Sequence, residues 1–280
     1  MTTAGYGMFT TAELQEKLKP QNWTAHNIRL NHEVTTIPGQ PDFLETDERL
    51  KAILRVLRLL YGQDLSSLRI ADLGCLEGGF AWALAQRGAS VLGIEARAAN
   101  LSKAQLLKEH FQLDGLKFVQ EDAKAFSRER FGSFDVVLAL GILYHLDSPV
   151  EWLNQIAGAT QQVIVDTHFA PATDQTLALI DPRISNLSEI IQIRHGQHTY
   201  EGRWFTEYGE DVDPEPQLWA SYSNRRSFWL TKESLVIAMC RAGFDLVFEQ
   251  HDYSAYSYRH FEHVFPRTIL VGAKQNLGRE

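Results

Sequence analysis

The sequence predicts an α/β fold built on a doubly wound, mostly parallel sheet. Short apolar strands alternate with helical segments over residues 47–169, and the connections between them are short. Such alternation requires right-handed crossovers, which make neighbouring strands parallel. The alternation stops after residue 169 and resumes at Thr231. We therefore expect one sheet whose chain carries a long insertion before its last elements.

Each element of the core follows from a local pattern. Leu50, Ile53 and Leu57 recur at helical spacing, and Thr46 or Asp47 can cap the start of that helix. The Ser148–Pro149 pair is typical of a helix start, because serine caps and proline suits the first helical position. Strands are expected at 69–73, 90–95, 117–122, 134–140 and 162–168, and further helices at 80–86 and 100–111.

The pattern divides the chain into four parts. Residues 1–46 are an irregular lead-in or cap, and residues 47–169 are the sheet core. Residues 170–230 are aromatic-rich with one helical pattern near 174–180, and they are too long for a simple loop, so we predict an inserted lid. Residues 231–280 complete the core with one helix and two last strands at 245–250 and 268–273.

Composition and charge exclude several classes of protein. The 280 residues are 44% hydrophobic and 22% charged, which is ordinary globular composition. The longest apolar run, residues 136–144, is much shorter than the about 20 residues of a membrane-spanning helix. The net charge of −8 argues against binding of long nucleic acids. We expect a cytoplasmic protein without a membrane segment, and the oligomeric state stays open, a homodimer included.

Three acidic residues stand at the ends of three successive predicted strands. Asp72 precedes a turn that contains Gly74 and Gly78, Glu95 ends the second strand, and Asp122 ends the third. The carboxyl ends of parallel strands meet at one edge of the sheet, where such folds bind ligands. Glycines let the backbone approach a ligand closely, and a carboxylate after the second strand can bind ribose hydroxyls. The pattern predicts a nucleoside-like ligand.

These residues, with the run Phe134–His145, resemble the class I S-adenosylmethionine-dependent methyltransferases. The resemblance covers Arg69–His168 and Thr231–Lys274, and it implies a Rossmann-like, seven-stranded sheet whose last strand is antiparallel. It also implies S-adenosylmethionine as cofactor, with the glycine turn at the methionine portion, Glu95 at the ribose and Asp122 at the adenine. The implied cofactor-binding residues are Asp72, Gly74, Cys75, Gly78, Glu95, Ala96, Asp122, Ala123 and Leu140.

The turn departs from the family pattern at one position and from the dinucleotide-binding pattern at two. Leu76 stands where the family has a second glycine. A nicotinamide dinucleotide fold needs G-x-G-x-x-G, whose middle glycine is missing here, and Glu77 would oppose a pyrophosphate. An NAD-dependent dehydrogenase is therefore the weaker alternative for the same sheet.

Methyl transfer to a hydroxyl also needs a base. His145 follows the fourth strand and is the candidate general base, because histidine exchanges protons near neutral pH. Asp166 and His168 lie two apart at the end of the fifth strand, so their side chains share one side, and both are further catalytic candidates. Two histidines are poor ligands for Mg²⁺, so no metal is expected.

The lid is predicted to select a small-molecule acceptor. Apolar pockets with a few placed polar groups bind such ligands. Residues 23–39 also resemble the lead-in of bacterial methyltransferases of small molecules or natural products, and they are expected to close over the cofactor. O-methylation is the predicted reaction; a tRNA- or RNA-modifying methyltransferase and a non-catalytic cofactor-binding partner are alternatives. The candidate substrate-binding residues are Tyr144, Arg203, Trp204, Asn224, Arg225 and Trp229.

Overall fold

The computed structural model describes residues 7–177, 186–251 and 266–275. The chain divides into two compact units, Met1–Glu121 and Asp122–Glu280. Within the described ranges, no helix combines the length and apolar character needed to cross a membrane.

In its described residues, 7–121, the first unit contains three parallel strands and four α-helices. Strand β2 pairs with β1 on one side and with β3 on the other, with Arg69 opposite Ser90 and Val91 opposite Leu116. The strands are β1 (Arg69–Leu73), β2 (Ser90–Glu95) and β3 (Leu116–Gln120), and the helices are α1 (Thr11–Leu18), α2 (Glu48–Tyr61), α3 (Gly79–Ala85) and α4 (Ala98–Phe111).

The second unit contains the other four strands of the large sheet and a separate small sheet. The elements of the large sheet and its helices are α5 (Arg128–Phe131), β4 (Phe134–Leu140), α6 (Pro149–Ala157), β5 (Thr160–His168), α7 (Asp174–Leu177), α8 (Lys232–Arg241), β9 (Leu246–Gln250) and β10 (Arg267–Ala273). The small antiparallel sheet consists of β6 (Ile191–His195), β7 (His198–Thr206) and β8 (Arg226–Leu230).

The large sheet has seven strands among the residues described, in the order β3-β2-β1-β4-β5-β10-β9. β4 and β5 are parallel, whereas β10 runs antiparallel to both β5 and β9. The predicted fold class, a doubly wound and mostly parallel sheet with an antiparallel last strand, is confirmed. The near-continuous apolar run of β4 is typical of a strand buried on both faces, and its central residues are fully buried.

Predicted helix starts agree with the observed caps. Asp47 accepts a hydrogen bond from Leu50 N at 2.9 Å at the start of α2. Thr231 accepts one from Ser234 N at 3.2 Å at the start of α8, and α6 begins at Pro149 after Ser148. The Asp47 and Thr231 side chains satisfy backbone N–H groups that have no partner inside the helix. The Ser148 side chain, which was expected to do the same, makes no capping hydrogen bond.

The lid differs most from the sequence prediction. Residues 186–230 contain a three-stranded sheet where only a helix near 174–180 was expected; the described helix is α7, and residues 178–185 lie outside the described chain. A two-residue turn that includes Gly196, at φ +60°, joins β6 to β7, and such turns need a left-handed residue. β3 also ends at Gln120, and Asp122 instead caps a 3-10 turn by accepting a bond from Lys124 N.

Candidate active site

The turn after β1 is held in a left-handed conformation at three positions. Gly74, Leu76 and Gly78 have φ values of +68°, +52° and +76°. Leu76 therefore adopts the conformation that the family's second glycine would adopt without strain. The Leu76 N–H donates to Glu95 Oε2 at 3.0 Å, and this bond holds the leucine in place. The turn thus accommodates a leucine in the left-handed conformation.

Gly78 tests how closely this turn is packed. A Cβ at Gly78 would lie 2.7 Å from Ala104 Cβ and 2.8 Å from Phe118 Cζ, whereas no described atom lies within 4 Å of a Cβ at Gly39, which is also left-handed. We expect Gly39→Ala to lower the free energy of unfolding by about 1 kcal/mol. Gly78→Ala should cost about 1–3 kcal/mol more, because the new methyl group overpacks the turn. Urea unfolding of both variants measures the difference, and equal losses would contradict close packing.

Two buried carboxyl groups flank the turn. Asp72 and Glu95 are 2% and 5% exposed. Burial raises the pKa of Asp72 to about 7, and the Ala81 N–H only partly offsets this. Burial likewise raises the pKa of Glu95, against the opposing effect of the Arg97 N–H. Within the described chain Asp72 Oδ2 has no hydrogen-bond partner. This buried oxygen could accept a hydrogen bond from a ligand.

The other predicted cofactor residues occupy three places. Cys75 and Ala96 follow β1 and β2; burial raises the pKa of the Cys75 thiol well above its usual range, so the group is inert at neutral pH. Ala123 lies in the second unit after Asp122, and its carbonyl accepts a hydrogen bond from Trp152 Nε1 at 2.8 Å. Leu140 is half-buried at the carboxyl end of β4.

In the second unit, His145 is bound by a carboxylate that the sequence analysis missed. His145 Nδ1 lies 2.9 and 3.0 Å from the two carboxylate oxygens of Glu207. The side chain of Glu207 is 2% exposed and that of His145 14%. A carboxylate can only accept, so Nδ1 carries the hydrogen and Nε2 of the neutral ring is the acceptor nitrogen. This is the geometry of a histidine base with its orienting acid.

The lid also holds Glu207 and the backbone of His145 in place. Ser227 Oγ donates to Glu207 Oε1 at 2.7 Å, and Ser221 N donates to Oε2 at 3.2 Å. Asn224 Nδ2 donates to the His145 carbonyl at 3.0 Å. Asn224 was predicted to bind substrate, and the structure places it against the backbone of the candidate base.

Asp166 and His168 lie beside each other at the end of β5, but each is bound by protein groups. Asp166 is fully buried, and Arg267 Nε and Nη2 donate to its two oxygens at 2.7 and 2.8 Å. His168 Nδ1 lies 3.2 Å from the Pro266 carbonyl, which fixes the hydrogen on Nδ1. Burial and the charge of Arg267 lower the pKa of His168 to about 3, which makes it a weak base. Both groups fit a positioning role better than proton transfer.

The Asp166–Arg267 pair gives a stability prediction. We expect Arg267→Met to lower the free energy of unfolding by about 3–5 kcal/mol, because it leaves a buried carboxylate without its cation. The double variant Asp166→Asn/Arg267→Met should recover much of that loss, since it removes both charges. Urea unfolding at neutral pH compares the two proteins. Equal losses in both would mean that the charge pair itself contributes nothing specific.

The predicted substrate residues separate into two groups. Tyr144 and Trp229 belong to an aromatic cluster at the candidate base: the Tyr144 ring lies 4.2 Å from that of His145, and Trp229 stacks on His168 at 5.0 Å. Arg203, in contrast, is fully buried inside the lid. Its guanidinium donates to the carbonyls of Pro171 and Ser188 and to the Asp174 carboxylate, contacts that favour a structural role.

Trp204 and Arg225 lie elsewhere in the lid. The Trp204 ring contacts Phe228 edge-on at 5.1 Å, and the Arg226 guanidinium lies 4.9 Å from its centre. Arg225 is exposed. In the part of the chain that the structure describes, no three His, Cys, Asp or Glu side chains gather closely enough to hold a metal ion.

Known proteins match the core of this chain. Residues 71–162 match the family model described as a methyltransferase domain. The ubiquinone biosynthesis O-methyltransferase of Dinoroseobacter shibae is 34% identical over 122 residues, which are 41% of this chain and 48% of that protein. The tRNA U34 carboxymethyltransferase of Idiomarina loihiensis is 25% identical over 188 residues, 61% of this chain and 55% of that protein. The chain spans about half the length of these relatives.

A solved structure extends the likeness of the fold to nearly the whole chain. The N-terminal domain of EvdMO1, crystallised in the presence of SAH and D-fucose, matches with a TM-score of 0.69 and 24% identity over 96% of this chain and 98% of that one. Residues 71–162 therefore match a methyltransferase domain, and the chain shares the fold of this solved structure. The EvdMO1 domain has also been crystallised with SAH bound, the molecule that S-adenosylmethionine becomes when it gives up its methyl group, so S-adenosylmethionine is the candidate cofactor here.

The residues of the first unit fit this cofactor. S-adenosylmethionine carries a sulfonium cation and no phosphate, so the unpartnered oxygen of Asp72 suits its charge. A carboxylate has about four acceptor positions, and Glu95 uses three of them for Leu76 N, Arg97 N and Asn100 Nδ2. Glu95 therefore keeps capacity for a hydroxyl donor.

Proposed function

We propose that the protein transfers a methyl group from S-adenosylmethionine to an oxygen of a small-molecule acceptor, with His145 as the general base. The observation that carries this proposal is the bond between His145 Nδ1 and the buried Glu207 carboxylate. The cofactor, when bound, supplies a methyl group already activated on sulfur. The protein then has to orient the acceptor and remove its proton.

His145 and Glu207 suit the proton transfer. With Nδ1–H bonded to Glu207, the neutral imidazole presents Nε2 as the proton acceptor. Once Nε2 takes the proton, the Glu207 carboxylate stabilises the resulting imidazolium. A hydroxyl acceptor needs this help, because an alcohol is a poor nucleophile at neutral pH. We assign Asp166 and His168 to positioning of the surrounding cluster.

The binding assignments follow the two units. Asp72, Glu95 and the Gly74–Gly78 turn would hold the methionine and ribose portions, and Asp122 the adenine. Tyr144 and Trp229, with Trp204 and Arg225 from the lid, would contact the acceptor, since aromatic side chains with few polar groups line pockets for small organic ligands. Residues 170–230 would then act as the substrate lid.

RNA modification is the second candidate function. Of the two relatives described above, the tRNA U34 carboxymethyltransferase of Idiomarina loihiensis matches the larger share of this chain, 61%. The net charge of −8 weighs against it, because binding of RNA depends on neutralising phosphates.

Transfer of labelled methyl groups separates the candidates. The protein is incubated with methyl-labelled S-adenosylmethionine and either a panel of phenols, sugars and hydroxy acids or total tRNA. We expect label in the small-molecule fraction, in a product whose methyl group mass spectrometry places on oxygen. Label confined to tRNA would favour the second candidate, and label on nitrogen or carbon would remove the O-methylation assignment.

A further inference from the structure

A buried cluster joins the lead-in to the glycine turn. We call the cluster formed by Glu77, Lys103, the His26 ring and the backbone of residues 24–26 the N-terminal clamp. The Glu77 carboxylate accepts hydrogen bonds from the N–H groups of Thr24, Ala25 and His26 at 2.7, 3.1 and 2.9 Å. Three consecutive N–H groups on one carboxylate form an anion-binding nest, here occupied by the protein's own side chain.

Lys103 completes the charge balance of the clamp. Its ammonium lies 2.9 Å from Glu77 Oε1, and both side chains are buried, at 3% and 0% exposure. Burial alone would raise the pKa of Glu77, but the His26 N–H, the Lys103 ammonium and the Thr24 N–H together lower it below its usual range. The glutamate therefore stays ionised and keeps its hydrogen bonds at neutral pH.

His26 makes a second contact in the opposite direction. The N–H of Gly79, the first residue of α3, donates to His26 Nδ1 at 3.2 Å, so the imidazole caps the helix that follows the turn. Burial lowers the pKa of His26 to about 4, so the ring is neutral and Nδ1 is an acceptor. A Cβ at Gly79 would lie 2.5 Å from the His26 ring, so this approach needs glycine.

The lead-in is itself a folded loop. Thr36 Oγ1 donates to the His26 carbonyl at 2.6 Å, and Asn27 Nδ2 donates to the carbonyls of Gln40 and Asp42 at 3.0 and 3.1 Å. These hydrogen bonds tie residues 26–42 together, and the clamp connects this loop to the glycine turn. Glu77 lies inside the turn, between Leu76 and Gly78.

From this geometry we infer that Glu77 and His26 are positioning residues for the cofactor, and that docking of residues 23–46 and binding of the cofactor stabilise each other. The inference rests on the proposed function, because it takes the glycine turn as the cofactor site. Two events that favour the same conformation are linked: each must strengthen the other by the same factor. Cofactor binding should therefore slow the opening of the lead-in, and loss of the clamp should lower the affinity for the cofactor.

Binding and hydrogen exchange test the inference without methyl transfer. S-adenosylhomocysteine is titrated calorimetrically into the full chain, and exchange of peptides from residues 23–46 is followed by mass spectrometry with and without it. Wild type should show slower exchange in these peptides when ligand is bound. Unchanged exchange in ligand-saturated wild type would overturn the coupling. Failure of wild type to bind S-adenosylhomocysteine would overturn the proposed function, and the inference with it.

The variants separate the clamp from general stability. His26→Phe keeps a ring but removes the hydrogen-bond acceptor. It should lower the affinity for S-adenosylhomocysteine by about tenfold, and the ligand should no longer slow hydrogen exchange in residues 23–46. Glu77→Gln/Lys103→Met, which avoids an unpaired buried ammonium, should do the same. His32→Phe, an exposed substitution in the same segment, should stay within about twofold of wild type. Folded clamp variants, by circular dichroism, that bind as tightly as wild type would overturn the inference.

Discussion

Replacing His145 with alanine is expected to lower kcat for methyl transfer by about 10²–10⁴-fold, because the acceptor hydroxyl loses its general base. S-adenosylmethionine affinity should stay near the wild-type value, since the residues proposed to hold the methionine and ribose portions lie in the other unit. Steady-state kinetics with a saturating acceptor and calorimetry with the cofactor measure the two quantities. The exposed His198 provides the control, and His198→Ala should keep full turnover.

Glu207→Gln tests the orienting acid separately. The amide keeps the size of the side chain but cannot stabilise an imidazolium, so kcat should fall by a smaller factor than in His145→Ala, with KM nearly unchanged. Full turnover in Glu207→Gln would assign the glutamate to packing of the lid.

The second large effect is expected at Asp72. Asp72→Asn should lower the affinity for S-adenosylmethionine by about tenfold or more, because a buried charge-assisted contact is lost. The same variant should be more stable than wild type above pH 7. The folded carboxyl has a pKa of about 7, whereas an unfolded aspartate titrates near about 4. The folded protein thus binds the extra proton between these values, and its stability falls as the pH rises through that window.

Urea unfolding without ligand, at pH 5 and pH 8, compares the free energies of unfolding of wild type and Asp72→Asn. Wild type should be less stable at pH 8 by about 2–3 kcal/mol relative to Asp72→Asn, taking pH 5 as the reference, because that interval covers about two pH units below the folded pKa. Asp114→Asn, at an exposed turn before β3, should follow wild type at both values. If Asp72→Asn lowered both the free energy of unfolding and the affinity for the cofactor, the aspartate would hold the turn rather than the ligand.

The parallel core was predictable because its signals are local. The predicted bounds of β1, β2 and β4 coincide with those observed. Each of these strands is an apolar stretch that ends at a glycine or an acidic residue, which is typical of strands buried on both faces. The capped helix starts at Asp47 and Thr231 depend on side chains adjacent in sequence, and they too were predicted.

The lid sheet and the partner of His145 had no comparable signal. In β7 both Gly202 and the neighbouring charged Arg203 are buried, and this pair interrupts the alternation of apolar and polar residues that identifies a half-buried strand. Glu207 follows that strand and meets His145 across 62 positions of sequence. A pairing over that distance depends on tertiary packing, and no local spacing encodes it.

The long sequence separation between His145 and Glu207 matters for protein engineering. Exchanging lids between related enzymes is an obvious route to new acceptors, because the lid is where relatives would be expected to differ. In this chain the lid also carries Glu207, with Ser221 and Ser227 as its hydrogen-bond donors and Asn224 beneath the His145 backbone. A chimera joined at residues 170 and 230 would replace the electrostatic partner of the histidine together with the residues proposed to contact the acceptor. Grafts that keep residues 207–227 should therefore retain turnover that full exchanges lose.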